Sequence, residues 1–153
     1  MTTENPYQAP QAELVASVAG ARPLYSIGAV GIATFIGSPL AGALLLTRNL
    51  AALGRSSESG GIWGLAVAVF VALTALALIL PESVPALPFT IAQLMCMTWL
   101  TQQRVGEQIR VHREQAGIFH SNWKAAGIGL LFGVVIFAIA FAVVLLLGLL
   151  GVL

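Results

Sequence analysis

Charge is what this chain has least of. Seven basic and six acidic side chains make up 8 % of its 153 residues, against about 25 % in a typical soluble domain. None of the acids is aspartate, so a Ser-His-Asp triad is excluded. A single cysteine, Cys96, excludes an internal disulfide, and a thiol in so apolar a stretch stays protonated and inert. The formal net charge of +1 supplies no field to gather nucleic acid or acidic substrates. There is no Walker-type phosphate loop and no Gly-x-Ser-x-Gly elbow. Gly127-x-Gly129-x-x-x-Gly133 misses dinucleotide-binding spacing by one residue. His112 and His120 have Glu107 and Glu114 nearby, but no His-Glu-x-x-His and no third histidine. The expectation is no catalytic residue, no metal site, no cofactor and no nucleic-acid partner.

What is there is hydrophobic, at 58 % of residues and a mean hydropathy of +0.93. The charges are also confined. Stretches 23–47, 59–81, 83–103 and 125–153 contain none, and every Lys, Arg and Glu falls between them or in the N-terminal tail. A membrane-crossing helix needs about 20 apolar residues to span about 30 Å. The pattern therefore predicts an all-α, four-span transmembrane helical bundle, with spans at about 24–47, 62–80, 84–103 and 125–147. A polar, proline-interrupted and flexible tail over 1–23 precedes this membrane domain of 24–153. The tail lacks the basic start and apolar core of a secretory signal. In the third, most polar span the helix runs on by about two turns towards Gln115, and Gly117 reads as its stop.

Cytoplasmic loops of membrane proteins carry the excess of Lys and Arg. Four crossings with both termini outside the cytoplasm put Arg48, Arg55, Arg104, Arg110, Arg113 and Lys124 inside and only Arg22 outside. Trp63, Trp99 and Trp123 then fall at the inner boundary, where tryptophan is favoured.

Four groups of residues are candidates for function. Ser38-Pro39, mid-way along the first span, predicts a kink, because a proline inside a helix frees a carbonyl one turn back. Gly129 and Gly133 in the last span, and Gly64, Ala68, Ala72 and Ala75 in the second, form small-residue stripes that let helices approach closely. Thr90, Gln93, Thr101 and Arg104 recur at roughly helical spacing and define a polar face inside the membrane, suited to interhelical hydrogen bonds or a lined path. Arg104, Arg110, Arg113 and Lys124 make the loop at 104–124 basic, suited to anchoring or to contact with anionic lipid or an acidic partner.

The pattern Gly37-Ser38-Pro39-Leu40-Ala41-Gly42, followed by Arg48-Asn49 and Leu53-Gly54-Arg55, resembles a group of small, uncharacterised bacterial membrane proteins. So does Ser121-Asn122-Trp123-Lys124-Ala125. The opening Asn5-Pro6-Tyr7-Gln8-Ala9-Pro10 is similar to a tail seen before many unrelated bacterial membrane domains. The resemblance implies a bacterial inner membrane and no activity. The expected role is non-enzymatic: helix or loop contacts within the bilayer, with a partner or with a second copy. The alternatives are immunity against a pore-forming toxin, which shares this build, and a passive channel or small transporter subunit lined by Gln93 and Thr101.

Overall fold

A computed structural model describes residues 22–81 and 83–151. Apart from Arg22 and Pro23, the expected tail lies outside the described residues. These residues form five α-helices: α1 (Ile27–Gly37), α2 (Pro39–Ala52), α3 (Ser59–Ile79), α4 (Leu87–Glu114) and α5 (Asn122–Leu149). A short 3-10 turn, Ser56–Glu58, leads into α3. Two helical stretches, Ser56–Ile79 and Asn122–Leu149, are long and apolar enough to cross a membrane. The expectation of four such spans is thus corrected to two that meet the criterion on length and composition.

The main correction concerns the first span. Residues 24–47 do not form one kinked helix; the chain reverses at Ser38. A residue before proline is pushed out of the helical region of backbone space, and Ser38 sits at φ 139°, ψ 173°, where a side chain is strained by about 1–3 kcal/mol. Its amide still closes α1 on the Thr34 carbonyl at 3.0 Å. Its hydroxyl accepts from the Leu40 amide at 3.2 Å and so caps α2. Pro39 occupies the first turn of α2, where a missing N–H costs nothing.

The two arms then pack antiparallel. Gly42 lies directly against the Thr34 hydroxyl, where a Cβ would have no room. Ala29, Val30 and Ala33 share a buried cluster with Ala41 and Leu45. At the open end the Asn49 side chain grips the Tyr25 backbone from both sides, accepting from its amide at 2.7 Å and donating to its carbonyl at 2.8 Å. With 11 and 14 residues, the arms are roughly 16 and 21 Å long, about half to two thirds of a bilayer core.

This hairpin is the centre of the molecule, because each remaining helix packs on it. α5 runs alongside α1: Gly37 lies on the Gly129 backbone, and a Cβ on Gly133 would stand 3.1 Å from the Ile36 carbonyl. α4 fits Met97, Leu100 and Val105 against Leu46 and Leu50 of α2, and Ile62 and Ala66 of α3 join the same core. The α5 backbone does not come close to that of α3 or α4. Past Gly133 it continues for 16 residues, roughly 24 Å, with Val134, Phe137, Phe141 and Leu149 exposed.

Helices α2 and α4 each end in a Schellman turn, in which two amides past the helix return to its last orphan carbonyls. At the end of α2, Gly54 takes φ 75° and Arg55 donates to Leu50 at 2.7 Å. At the end of α4 the left-handed residue is Ala116, at φ 54°, and Gly117 donates to the His112 carbonyl at 2.8 Å. The stop expected at Gly117 therefore lies one residue earlier. Glycine is required at 117 for a different reason, since a Cβ there would enter the His112 ring.

Candidate functional site

Reversal at Ser38 brings both ends of the hairpin to one end of the molecule. The segment before α1 lies beside the loop before α5: Leu24 donates to Ile118 at 3.2 Å and accepts from His120 at 2.9 Å. Tyr25 and His120 have ring centroids 4.3 Å apart. His112 joins the loop to α4, its Nε2 3.0 Å from the Ile118 carbonyl and its ring edge-on to Phe119. Both histidines thus do structural work.

The basic residues of this end divide into two sets. Arg55 binds Glu58 through two bonds of 2.6 and 2.9 Å and reaches the Arg104 carbonyl at 2.8 Å, while Arg104 approaches Glu58 at 3.4 Å. The Arg55 bond holds the Glu58 carboxyl below its usual range, with Arg104 adding to the effect. Arg110 spans Glu107 and Glu114 on α4, lowering Glu107 in the same way. Arg113 lies over the Phe119 ring, 5.7 Å from its centroid. The second set is Arg22, Arg48 and Lys124, which pair with no carboxylate among the described residues and border one groove of about 660 Å³.

At the opposite end, above the hairpin tip, lies a cleft of about 530 Å³ between the outer parts of α3, α4 and α5. Its polar lining is Thr34, Ser38, Thr74, Thr90 and Gln93. The Thr34 hydroxyl is spent on the Val30 carbonyl at 2.9 Å, and Thr90 reaches Ala86 at 3.4 Å. The Gln93 amide is the group with most hydrogen-bonding capacity left for an occupant.

The polar face expected from Thr90, Gln93, Thr101 and Arg104 is not one site. Thr90 and Gln93 reach the cleft. Thr101 is fully buried and donates to the Met97 carbonyl at 2.7 Å, and Arg104 turns to Glu58. The small-residue stripes also part company. Gly129 and Gly133 lie against α1, whereas Gly64, Ala68 and Ala72 are exposed, with nothing near Gly64. Of the basic residues expected to face a partner, Arg104 and Arg110 are satisfied within the chain, and Lys124 alone faces the groove.

Arg22, Arg48, Asn49 and Tyr25 were not legible as a group, because only the hairpin brings residues 22–25 beside residue 49. No family model, curated protein or solved structure matches this chain.

Proposed function

We propose that this chain is a non-enzymatic multi-pass protein of a bacterial inner membrane that works through helix contacts with a second copy of itself. One observation carries the reading. α3 attaches to the rest of the chain through Ile62 and Ala66 near its base, and the opposite side of the helix presents Gly64, Ala68 and Ala72, all exposed. In a bilayer there is no hydrophobic force between helices, so association relies on close backbone approach at small residues. Facing lipid, such a stripe packs poorly; against the same stripe of a second copy it packs well.

The membrane arrangement follows from the charges. α3, α4 and α5 cross, and the α1–α2 hairpin enters from the basic end, turns at Ser38 and returns. Arg22 and Arg48 stand at the two open ends of the hairpin, and the loop at 115–121 between α4 and α5 packs beside them. All seven basic residues then lie on the cytoplasmic side, a stronger bias than the six to one of four crossings. Trp99 and Trp123, both exposed near that end, suit the interface. The N-terminus is then inside and the C-terminus outside. Reporter fusions before Arg22 and after Ser83 test this: a cytoplasmic signal from the first and a periplasmic signal from the second are expected, and a periplasmic first fusion overturns it.

Self-association is tested by cysteine crosslinking in membranes, in a Cys96→Ser background. Ala68→Cys and Ala72→Cys should give a disulfide-linked dimer, and Val67→Cys on the flank should give much less. No dimer from either stripe position sinks the reading. A second reading, a passive solute path, is favoured by the five polar residues of the outer cleft. Gln93→Leu should then lower flux into liposomes, and unchanged flux removes that residue from the path.

A further inference from the structure

The groove at the basic end combines two chemistries that seldom meet by chance. Its rim holds three cations delivered by three separate parts of the chain: Arg22 ahead of α1, Arg48 on α2 and Lys124 in the first turn of α5. Its wall is apolar, made by Gly127, Ile128 and Leu131 of α5. Nothing lies near the Gly127 Cα on its open side, so a hydrocarbon chain can rest against the helix backbone there. Every other arginine at this end is occupied, by Glu58, by Glu107 and Glu114, or by the Phe119 ring. Arg22, Arg48 and Lys124 have no carboxylate partner among the described residues. Burial first, then the positive charges of Lys124 and Arg48, hold the neighbouring His120 below the usual histidine range. A concentrated, uncompensated positive field of this kind is stabilised by an anion.

We propose that the groove is a binding site for one anionic phospholipid, its phosphate held among Arg22, Arg48 and Lys124 and an acyl chain lying along Gly127, Ile128 and Leu131. The assignment rests on the membrane reading above. The apolar wall separates a lipid from a free phosphate, because a small anion gains nothing from Ile128 and Leu131. Position agrees with charge, since basic pockets between membrane helices on the cytoplasmic side receive anionic headgroups. The neutral His120 ring, 4.3 Å from Tyr25, borders the groove and can hydrogen-bond to the headgroup without adding charge. The bound lipid would also tie the segment before α1 to α2 and α5, the three parts that the reversal at Ser38 brings together.

The test is native mass spectrometry of the full chain in detergent, titrated separately with phosphatidylglycerol, phosphatidylcholine and inorganic phosphate. One phosphatidylglycerol should be retained in clear preference to phosphatidylcholine. Each cation removed near a membrane surface costs about fivefold in affinity, so Arg48→Gln with Lys124→Gln should weaken that preference about 25-fold. Arg110→Gln, at a residue paired elsewhere, should leave it intact. Leu131→Gln should reduce phosphatidylglycerol retention and leave any weak phosphate binding unchanged. Equal retention of both lipids, or a preference that survives the double substitution, overturns the proposal. Inorganic phosphate that competes as well as the lipid overturns it in favour of a soluble anion. Resistance of the chain to alkaline carbonate extraction tests the membrane reading by itself, so the two can fail separately.

Discussion

At the base of the hairpin the Asn49 amide grips the Tyr25 backbone with bonds of 2.7 and 2.8 Å, whereas at the tip Gly37 and Gly129 meet backbone to backbone with no side chain between them. The base lies where the chain is polar and water can reach, yet its key groups are buried, so each needs a partner of its own. The tip lies in the apolar part of the molecule, where side chains have little to hydrogen-bond and association depends on how closely backbones approach. One end is therefore specified by groups that are present and the other by groups that are absent. The two should respond to different substitutions. Adding a methyl group should ruin the tip, and removing an amide should ruin the base.

The largest effect is expected at the tip. Gly37→Val would drive a branched side chain into the Gly129 backbone, which cannot swing aside as a side chain can. Overpacking costs about 1–3 kcal/mol and sometimes more; with backbone on the other side the whole α1–α5 seam must part, so this loss is felt by the entire molecule, whereas damage at the base stays local. A thermal melt in detergent, followed by helical circular dichroism, should show the loss. An unchanged melting temperature would mean that α5 does not pack on α1 as described. At the base, Asn49→Leu keeps the volume but strands the Tyr25 N–H and C=O, both in a buried setting. At about 1–3 kcal/mol for each of the two stranded groups, the total is about 2–6 kcal/mol, confined to the base. Because the damage is local, hydrogen–deuterium exchange at the Tyr25 amide should be faster in the variant than in the wild type, with the amides of α5 unchanged.

These two sites also mark what could be read from the amino-acid order. Helix content was legible, because long charge-free stretches leave a chain few other options in apolar surroundings. α3, α4 and α5 fall close to where hydropathy and proline put them, at Ser59–Ile79, Leu87–Glu114 and Asn122–Leu149. The hairpin was not legible. Hydropathy is blind to direction, and 24 apolar residues look the same whether they cross once or go in and come back. Pro39 signals a bend, but a bend becomes a reversal only when the arms can close, and that depends on Gly42 meeting Thr34 across the turn. The misreading propagated. A single helix over 24–47 would set Arg22 at the far end from Arg48 and Lys124, so the three could not be grouped, whereas the reversal at Ser38 puts them around one groove. The stripe through Thr90, Gln93, Thr101 and Arg104 failed for a related reason. Helical spacing says which residues share a face, but not that the face passes from an open cleft to a buried core to a polar end.

A smaller effect comes from pH and belongs to the base alone. Burial, Lys124 and Arg48 lower the His120 pKa when the loop is docked. The undocked state then binds more protons at mildly acidic pH, so stability rises with pH in that range. Falling pH should start to loosen the base as it passes the usual histidine value of about 6.5, and the loss should level off below the depressed value of the docked state. His120→Gln should flatten this dependence in a melting curve recorded from pH 7.5 to 5. The tip, with no titratable group among the described residues around Gly37 and Gly129, should be unaffected, so the Gly37→Val deficit should be the same at both ends of that range.

The smallest expected effect compares the two helix ends within the base itself. α2 stops with Gly54 at φ 75° and α4 stops with Ala116 at φ 54°, and each closes the same pair of hydrogen bonds. The left-handed conformation costs an L-residue with a Cβ about 1–2 kcal/mol and costs glycine nothing. Glycine gives some of that back, because it loses more freedom when the unfolded chain folds. Gly54→Ala should therefore destabilise by about 1 kcal/mol, and Ala116→Gly should stabilise by about 0.5–1 kcal/mol. Opposite signs from opposite substitutions would show that one motif ends both helices. If Ala116→Gly were destabilising instead, the turn after α4 would be held by the contact between His112 and Ile118 at 3.0 Å, and the backbone at 116 would be following the loop rather than ending the helix.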